Sequence, residues 1–212
     1  MLQIRWHGHS CWEITNDKTL VTDPHDGKSI GIQAPSVMGD IILVSHDHYD
    51  HNSVKTVEKT DSKIITDERK RNINNVEIMG IPSFHDESHG AKRGSNIIYK
   101  FKMDGIRFCH LGDLGHELDE NTVDEIGEVD VLFIPIGGTF TVDDQQAWNV
   151  INMIKPRIVI PMHYKIGGLS LPIAGIDPFL EHNKYRVMPV GNEIEINKDD
   201  LPEETEVWTF TL

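Results

Sequence analysis

Ser45-His46-Asp47-His48-Tyr49-Asp50-His51 follows directly on the apolar run Ile41-Ile42-Leu43-Val44. The run is mostly β-branched and is flanked by Asp40 and Ser45, which predicts a short buried strand. Its carboxyl end releases His-x-His-x-Asp-His, three imidazoles and a carboxylate within six positions, at the place where open α/β sheets bind ligands. In an extended exit His46 and His48 project to one side because strand side chains alternate, and Asp50 and His51 follow as the chain turns. Neutral imidazole suits zinc and related transition metals, and a carboxylate adds negative charge and can serve a second ion. The competing reading is a polar loop merely rich in histidine. With 12 His and 19 Asp in 212 residues, composition alone would produce this pattern about 0.003 times per chain, so a metal site is the stronger reading.

Three more ligand-type residues stand beyond strand-like runs: His85 after Glu77 to Pro82, Asp113 after Ile106 to Leu111, and His163 after Arg157 to Met162. Ligands delivered from separate strand ends to a shared edge are what a metal centre on a sheet requires. Taken with Gly8-His9-Ser10-Cys11, Asp23-Pro24, Phe84-His85-Asp86, His110-Leu111-Gly112-Asp113 and Pro161-Met162-His163-Tyr164, the stretch resembles the metallo-β-lactamase superfamily over nearly the whole chain. Within it the sequence is most similar to the small single-domain hydrolases grouped with the ascorbate-6-phosphate lactonases.

That resemblance implies one domain over residues 1–212, an α/β fold of the four-layer αββα sandwich type, and a dinuclear centre. It implies that His46, His48 and His85 hold one metal, that Asp50, His51 and His163 hold the second, and that Asp113 bridges them. Two divalent ions, zinc first with manganese or iron open, would activate a water as a hydroxide nucleophile and polarise the oxygen under attack. No cysteine stands at a ligand position. In the superfamily's di-iron oxidoreductases the position of His48 is usually glutamate, so histidine favours hydrolysis; an iron-dependent sulfur dioxygenase or other redox enzyme is the alternative. A catalytically silent metal-binding module is a third reading, against which the full ligand set argues.

Asp50 and His116 are the catalytic candidates, Asp50 as a ligand and His116 as a proton donor to the leaving group. His7 and His9 are carried as candidates to position substrate or to donate that proton, although a structural role suits each histidine equally well. Asp23 resembles an aspartate that orients the metal-motif loop through hydrogen bonds to its ligands. Arg93 and Lys165 could recognise a phosphate or carboxylate, against the ordinary alternative of surface charge.

Composition bounds the partners. A formal charge of −14 argues against general nucleic-acid binding, which needs a basic footprint, and leaves a small anionic substrate as the expected partner. No apolar stretch approaches the ~18 residues of a membrane span, and Met1 to Trp6 has no signal-like apolar core. Cys11 and Cys109 read as reduced thiols, so a cytoplasmic protein is expected, with homo-oligomerisation left open.

The remaining elements are local readings. Ile4 to Ile14 and Thr19 to Thr22 predict a hairpin, with a bulge or close approach at Gly8; Ser53 to Lys59, Asp119 to Ile126, Asp144 to Ile154 and Asp177 to Asn183 predict helices. Lys63 to Thr66, Asn96 to Met103, Val187 to Ile196 and Glu206 to Leu212 predict strands. Asp23 and Asp113 each close a hairpin, and Asp40 and Asp130, 17 residues after each, open an apolar strand. Two β-rich halves offset by 90 residues imply two sheets packed face to face.

Overall fold

The computed structural model describes residues 1–212. In chain order the elements are β1 (Leu2–Trp6), β2 (Trp12–Thr15), β3 (Thr19–Thr22), β4 (Gly39–Leu43), β5 (Glu58–Ile65), β6 (Arg71–Ile73), β7 (Val76–Phe84), β8 (Ser95–Met103) and β9 (Ile106–His110). They continue as α1 (Glu120–Ile126), β10 (Val131–Pro135), α2 (Asp144–Ile154), β11 (Ile158–Met162), α3 (Asp177–Glu181), β12 (Arg186–Gly191), β13 (Glu193–Ile196) and β14 (Glu206–Phe210). One sheet has the order β13-β1-β2-β3-β4-β5 and the other β12-β14-β11-β10-β9-β8-β7-β6.

Alternation builds the face between the sheets: Leu2, Ile4 and Trp6 of β1 turn inward while Gln3 and Arg5 are half-buried. The central parallel strands β10 and β11 are buried on both faces and read as continuous apolar runs. Trp12 ties the sheets together, its ring 4.8 Å from Phe133 and 5.0 Å from Phe210 between centroids. Beyond the eight-stranded sheet, α2 starts at a capping box between Asp143 and Gln146 and ends at Lys155 in the left-handed conformation. Its Trp148 stacks on Phe179 of α3 at 4.6 Å. Outside the six-stranded sheet the helical layer shrinks to a single 3₁₀ turn, Val54–Thr56, where a helix over Ser53 to Lys59 was expected. There Val54 and Val57 cover Val21, Ile42 and Val44.

Two further segments differ from the sequence reading. Ile4 to Ile14 is not one strand: the chain reverses at Gly8-His9, with φ of 90° and 54°, so that β1 and β2 pair antiparallel. A Cβ on Gly8 would lie 2.6 Å from Ile32 Cδ1, which is the close approach the glycine permits. Val187 to Ile196 is also two strands, broken at Gly191 with φ of 86°; β12 joins one sheet and β13 the other.

The internal echo has a structural basis. Asp40 accepts from the Thr19 amide at 2.9 Å, and Asp130 accepts from the Arg107 amide at 2.8 Å, so each aspartate pins the start of a parallel strand to the strand before it. Asp130 is almost wholly buried and also accepts from Arg107 Nε at 2.9 Å and Nη2 at 2.8 Å. Burial opposes its ionisation, but the Arg107 hydrogen bonds outweigh burial and hold the carboxyl below the usual range. Asp130→Asn is expected to cost about 1.5 kcal/mol, the low end for charged hydrogen bonds because the guanidinium is partly exposed. A folded pKa below the unfolded one means this stability is complete above about pH 4 and is lost as pH falls through the folded value. Denaturant melts at neutral and acid pH check it: the gap between wild type and variant should close in acid, and a constant gap would contradict the assignment.

Candidate metal centre

The ligand-type residues sit where strands end. His46, His48, Asp50 and His51 follow β4, His85 follows β7, Asp113 lies just beyond β9, and His163 follows β11. All lie at the carboxyl edge of the two sheets, and all but His48, which is half-buried, are buried. The donor atoms of His46, His48 and His85 converge within 4.8 Å of one another, as do those of Asp50, His51 and His163. Asp113 stands between the groups. Its Oδ2 lies 3.7 Å from His46 Nε2, 3.3 Å from His85 Nε2, 3.2 Å from His51 Nε2 and 3.1 Å from His163 Nε2.

A network behind the donors sets their positions. Asp23, buried and with φ of 36°, accepts from the Ser45 amide and hydroxyl at 2.7 Å each, and its Oδ2 faces His51 Nδ1 at 3.2 Å. This is the placement an aspartate needs to orient the metal-motif loop through Ser45. Asn96 was not singled out from the sequence, and His110 was quoted only as part of the stretch leading to Asp113. Asn96 Oδ1 accepts from the Asp113 amide at 2.9 Å while its amide group donates to Ser83 Oγ and the Leu111 carbonyl. His110 donates from Nε2 to the Ser10 carbonyl at 3.1 Å and accepts the Gly112 amide on Nδ1 at 3.1 Å. The available signal was a polar residue at an inward position of an otherwise apolar strand. Gly112 is required at that turn, since a Cβ there would lie 2.3 Å from Asn96 Oδ1.

Electrostatics follow from packing many imidazoles around few carboxylates. Burial lowers His46 to about 3, with the neighbouring His51 adding to the effect, so it is a neutral donor at pH 7. Burial likewise lowers His9 to about 3, helped by His163. His51 goes the other way: burial disfavours its charge, but Asp113 and Asp23 outweigh burial and raise it well above the ordinary value. Burial also opposes ionisation of Asp113, yet His163 and His51 hold it well below the carboxylate range. His51 and Asp113 thus favour each other's charged forms. The donor set fits divalent transition metals: it is nitrogen and oxygen only, and His46 Nε2 and Asp113 Oδ1 are buried with no hydrogen-bond partner in the protein.

The other expected site residues fall in different places. His9 comes within reach of the second group, its Nε2 3.1 Å from Asp50 Oδ2. His7 turns away to Glu13, 2.8 Å from Oε2. Lys165 donates Nζ to the Leu169 and Leu171 carbonyls, and Arg93 donates to the Thr139 carbonyl and lies over the Phe140 ring, so both cations serve loop structure. His116 accepts the Phe84 amide on Nε2 at 3.2 Å and donates from Nδ1 to the Glu117 carbonyl at 2.7 Å. With both ring nitrogens on backbone, it has no free position for a proton-donor role. His116→Ala is expected to keep the wild-type metal content and to lose about 1 kcal/mol of stability; loss of a metal equivalent on elemental analysis would return His116 to the site.

A family model describing the beta-lactamase superfamily domain matches residues 3–163. A UPF0173 metal-dependent hydrolase of Thermoplasma acidophilum is 30% identical over 225 aligned positions, covering 95% of this chain and 97% of that protein. Another, from Pyrococcus furiosus, is 31% identical over 191 positions, covering 77% and 85%. The crystal structure of a protein from Thermotoga maritima, described as a Zn-dependent hydrolase of the metallo-beta-lactamase superfamily, superposes with a TM-score of 0.82 at 35% identity, covering 99% of this chain and 98% of that one. Matching in sequence and in fold, the chain belongs to the metallo-β-lactamase superfamily, among its metal-dependent hydrolases.

Proposed function

We propose that the protein is a dinuclear hydrolase of small anionic esters, a phosphodiester or a phosphorylated lactone. His46, His48 and His85 hold the first ion, Asp50, His51 and His163 the second, and Asp113 both. The observation that carries this reading is the single Asp113 oxygen, approached by imidazoles of both groups at 3.1 to 3.7 Å. Bound there, two divalent ions, zinc first, would lower the pKa of a water and polarise the oxygen under attack. The protein's part is to keep His46 neutral and to fix Asp113 through Asn96. His48, half-buried, marks the accessible side.

The net charge of −14 supports a small substrate over a polyanion, since binding a polyanion needs a basic footprint. We assign the shaping of the pocket to two loops. Residues 25–39 pack against residues 166–173 through Ile30, Leu169, Leu171 and Ile173, and the Ser170 amide donates to the Ile30 carbonyl at 2.8 Å. In the loop 86–94, the Asp86 carboxylate collects the amides of Ser88, Gly90, Lys92 and Arg93. The buried, unpaired Cys11 and Cys109 are in keeping with a reducing, cytoplasmic setting.

A panel of phosphodiesters, phosphomonoesters, lactones and thioesters, assayed with metal-reconstituted protein, tests the reading. Turnover of a phosphodiester or phosphorylated lactone is expected. Turnover of thioesters alone, or metal-dependent oxygen uptake in place of hydrolysis, would overturn it.

A further inference from the structure

We infer that His9 is a direct ligand of the second metal site, joining Asp50, His51, His163 and Asp113, and that it closes this site while the first stays open beside His48. The inference rests on the dinuclear reading and adds a residue outside its seven ligands.

The chain reverses between β1 and β2 at Gly8-His9. His9 holds the left-handed conformation, φ 54°, which costs a non-glycine residue free energy and persists only where the surroundings enforce it. Here its carbonyl accepts from Trp6 Nε1 at 3.1 Å and from the His163 amide at 3.3 Å. The turn is thus tied on one side to the core and on the other to a residue of the second group, and it delivers the ring into that group. The His9 ring lies tilted against His163 with centroids 4.2 Å apart and is itself 0% exposed.

The donor separations then match one coordination shell. Donors bonded to one ion at about 2.1 Å lie about 3.0 Å apart at right angles and about 3.6 Å apart at 120°. His9 Nε2 is 3.1 Å from Asp50 Oδ2 and 3.2 Å from His51 Nε2. His51 Nε2 is 3.6 Å from Asp50 Oδ2 and 3.2 Å from Asp113 Oδ2, and His163 Nε2 is 3.1 Å from Asp113 Oδ2. A hydrogen bond explains these contacts less well, because one N–H cannot point at both a carboxylate oxygen and an imidazole nitrogen. His9 Nδ1 has no partner, so the ring's only polar contacts are donors of the second site.

With His9, the second site has three imidazoles and two carboxylates, all buried. The first site has three imidazoles and the shared carboxylate, with His48 half-buried. The two ions should therefore differ: one held in a closed site, the other exchangeable and reachable by substrate.

Metal-loaded wild type, His9→Ala, His9→Gln and His9→Asn test this. Equivalents retained after gel filtration, affinity by competition with a chelator, and the visible spectrum of the cobalt(II) forms are the readouts. Wild type should release one equivalent readily and retain the other. Each variant should bind the retained equivalent at least about 10-fold more weakly, the scale on which even outer partners of a ligand act, with a changed cobalt spectrum. Glutamine keeps an amide donor for Asp50, so wild-type retention and spectrum in His9→Gln would overturn the inference in favour of a hydrogen bond. Wild-type retention in all three variants would overturn it too, and would leave the dinuclear reading standing; wild type that binds no metal would sink that reading instead. Melts in chelator report folding of the variants, and if His9→Ala does not fold, His9→Asn, which tolerates the left-handed backbone, decides.

Discussion

Asp113→Asn is expected to lower kcat/KM by about 10³-fold or more on whichever ester the wild type cleaves, with the fold retained. The substitution keeps the shape and the amide hydrogen bond to Asn96 Oδ1, at 2.9 Å, and removes only the charge and one carboxylate oxygen. Four imidazole nitrogens surround Asp113 Oδ2 within 3.7 Å, and both proposed ions depend on it. A bound ion contributes several kcal/mol of transition-state stabilisation, and each 1.36 kcal/mol is a factor of about ten. Steady-state kinetics with metal analysis on the same preparation check it. A loss smaller than about 10-fold with metal content unchanged would remove Asp113 from the bridging role.

Removing the metal should act on stability as strongly as Asp113→Asn acts on rate. The centre buries Asp23, Asp50 and Asp113 among His9, His46, His51, His85 and His163. Ions that bind only the folded state stabilise it by about 4 kcal/mol at 1,000 times Kd. For a chain of this size a kcal/mol shifts Tm by about 2–4 °C, so excess chelator is expected to lower Tm by roughly 10 °C, reversibly on adding metal back. Superimposable melts with and without chelator would mean that no ion is linked to folding.

How far the sequence spoke for itself varied with how local the signal was. The run Ile41 to Val44 with the pattern after it, the Asp104-Gly105 turn between β8 and β9, and the capped start of α2 all carry their instructions within a few residues, and β4, the hairpin and α2 lie where those residues imply. The offset of 90 between halves reflects a real structural repeat in Asp40 and Asp130. Where tertiary pairing decides, local reading failed. Alternation continues through Gly8-His9, so nothing nearby distinguishes a bulge from a reversal. Asn74 and Asn75, with φ of 52° and 67°, turn β6 into β7, but β6 is only three residues long and too polar to stand out. The split at Gly191 depends on which sheet each strand joins, which is a long-range matter.

The site shows the same division. The seven expected ligands are brought to one edge because each follows a strand, a pattern visible in the sequence. The supporting residues are not visible this way. Asn96 and Ser45 act through hydrogen bonds to residues 17 and 22 positions away, and His110 through a carbonyl 100 positions away. His116, by contrast, stands close to Asp113 in sequence yet spends both nitrogens on backbone, because its turn carries the ring toward Phe84. Closeness in sequence misled there, and for His9 it was the unexpected reversal that brought a distant residue within 3.1 Å of Asp50.

The central claim is that this edge holds two metal ions, and elemental analysis of protein expressed and purified without chelator tests it most directly. Proteins with this arrangement should carry about two divalent ions per chain, or reach that number when equilibrated with metal on reconstitution. Protein that is folded by circular dichroism but carries no metal, and takes up none when zinc, manganese or iron is supplied, would contradict the account.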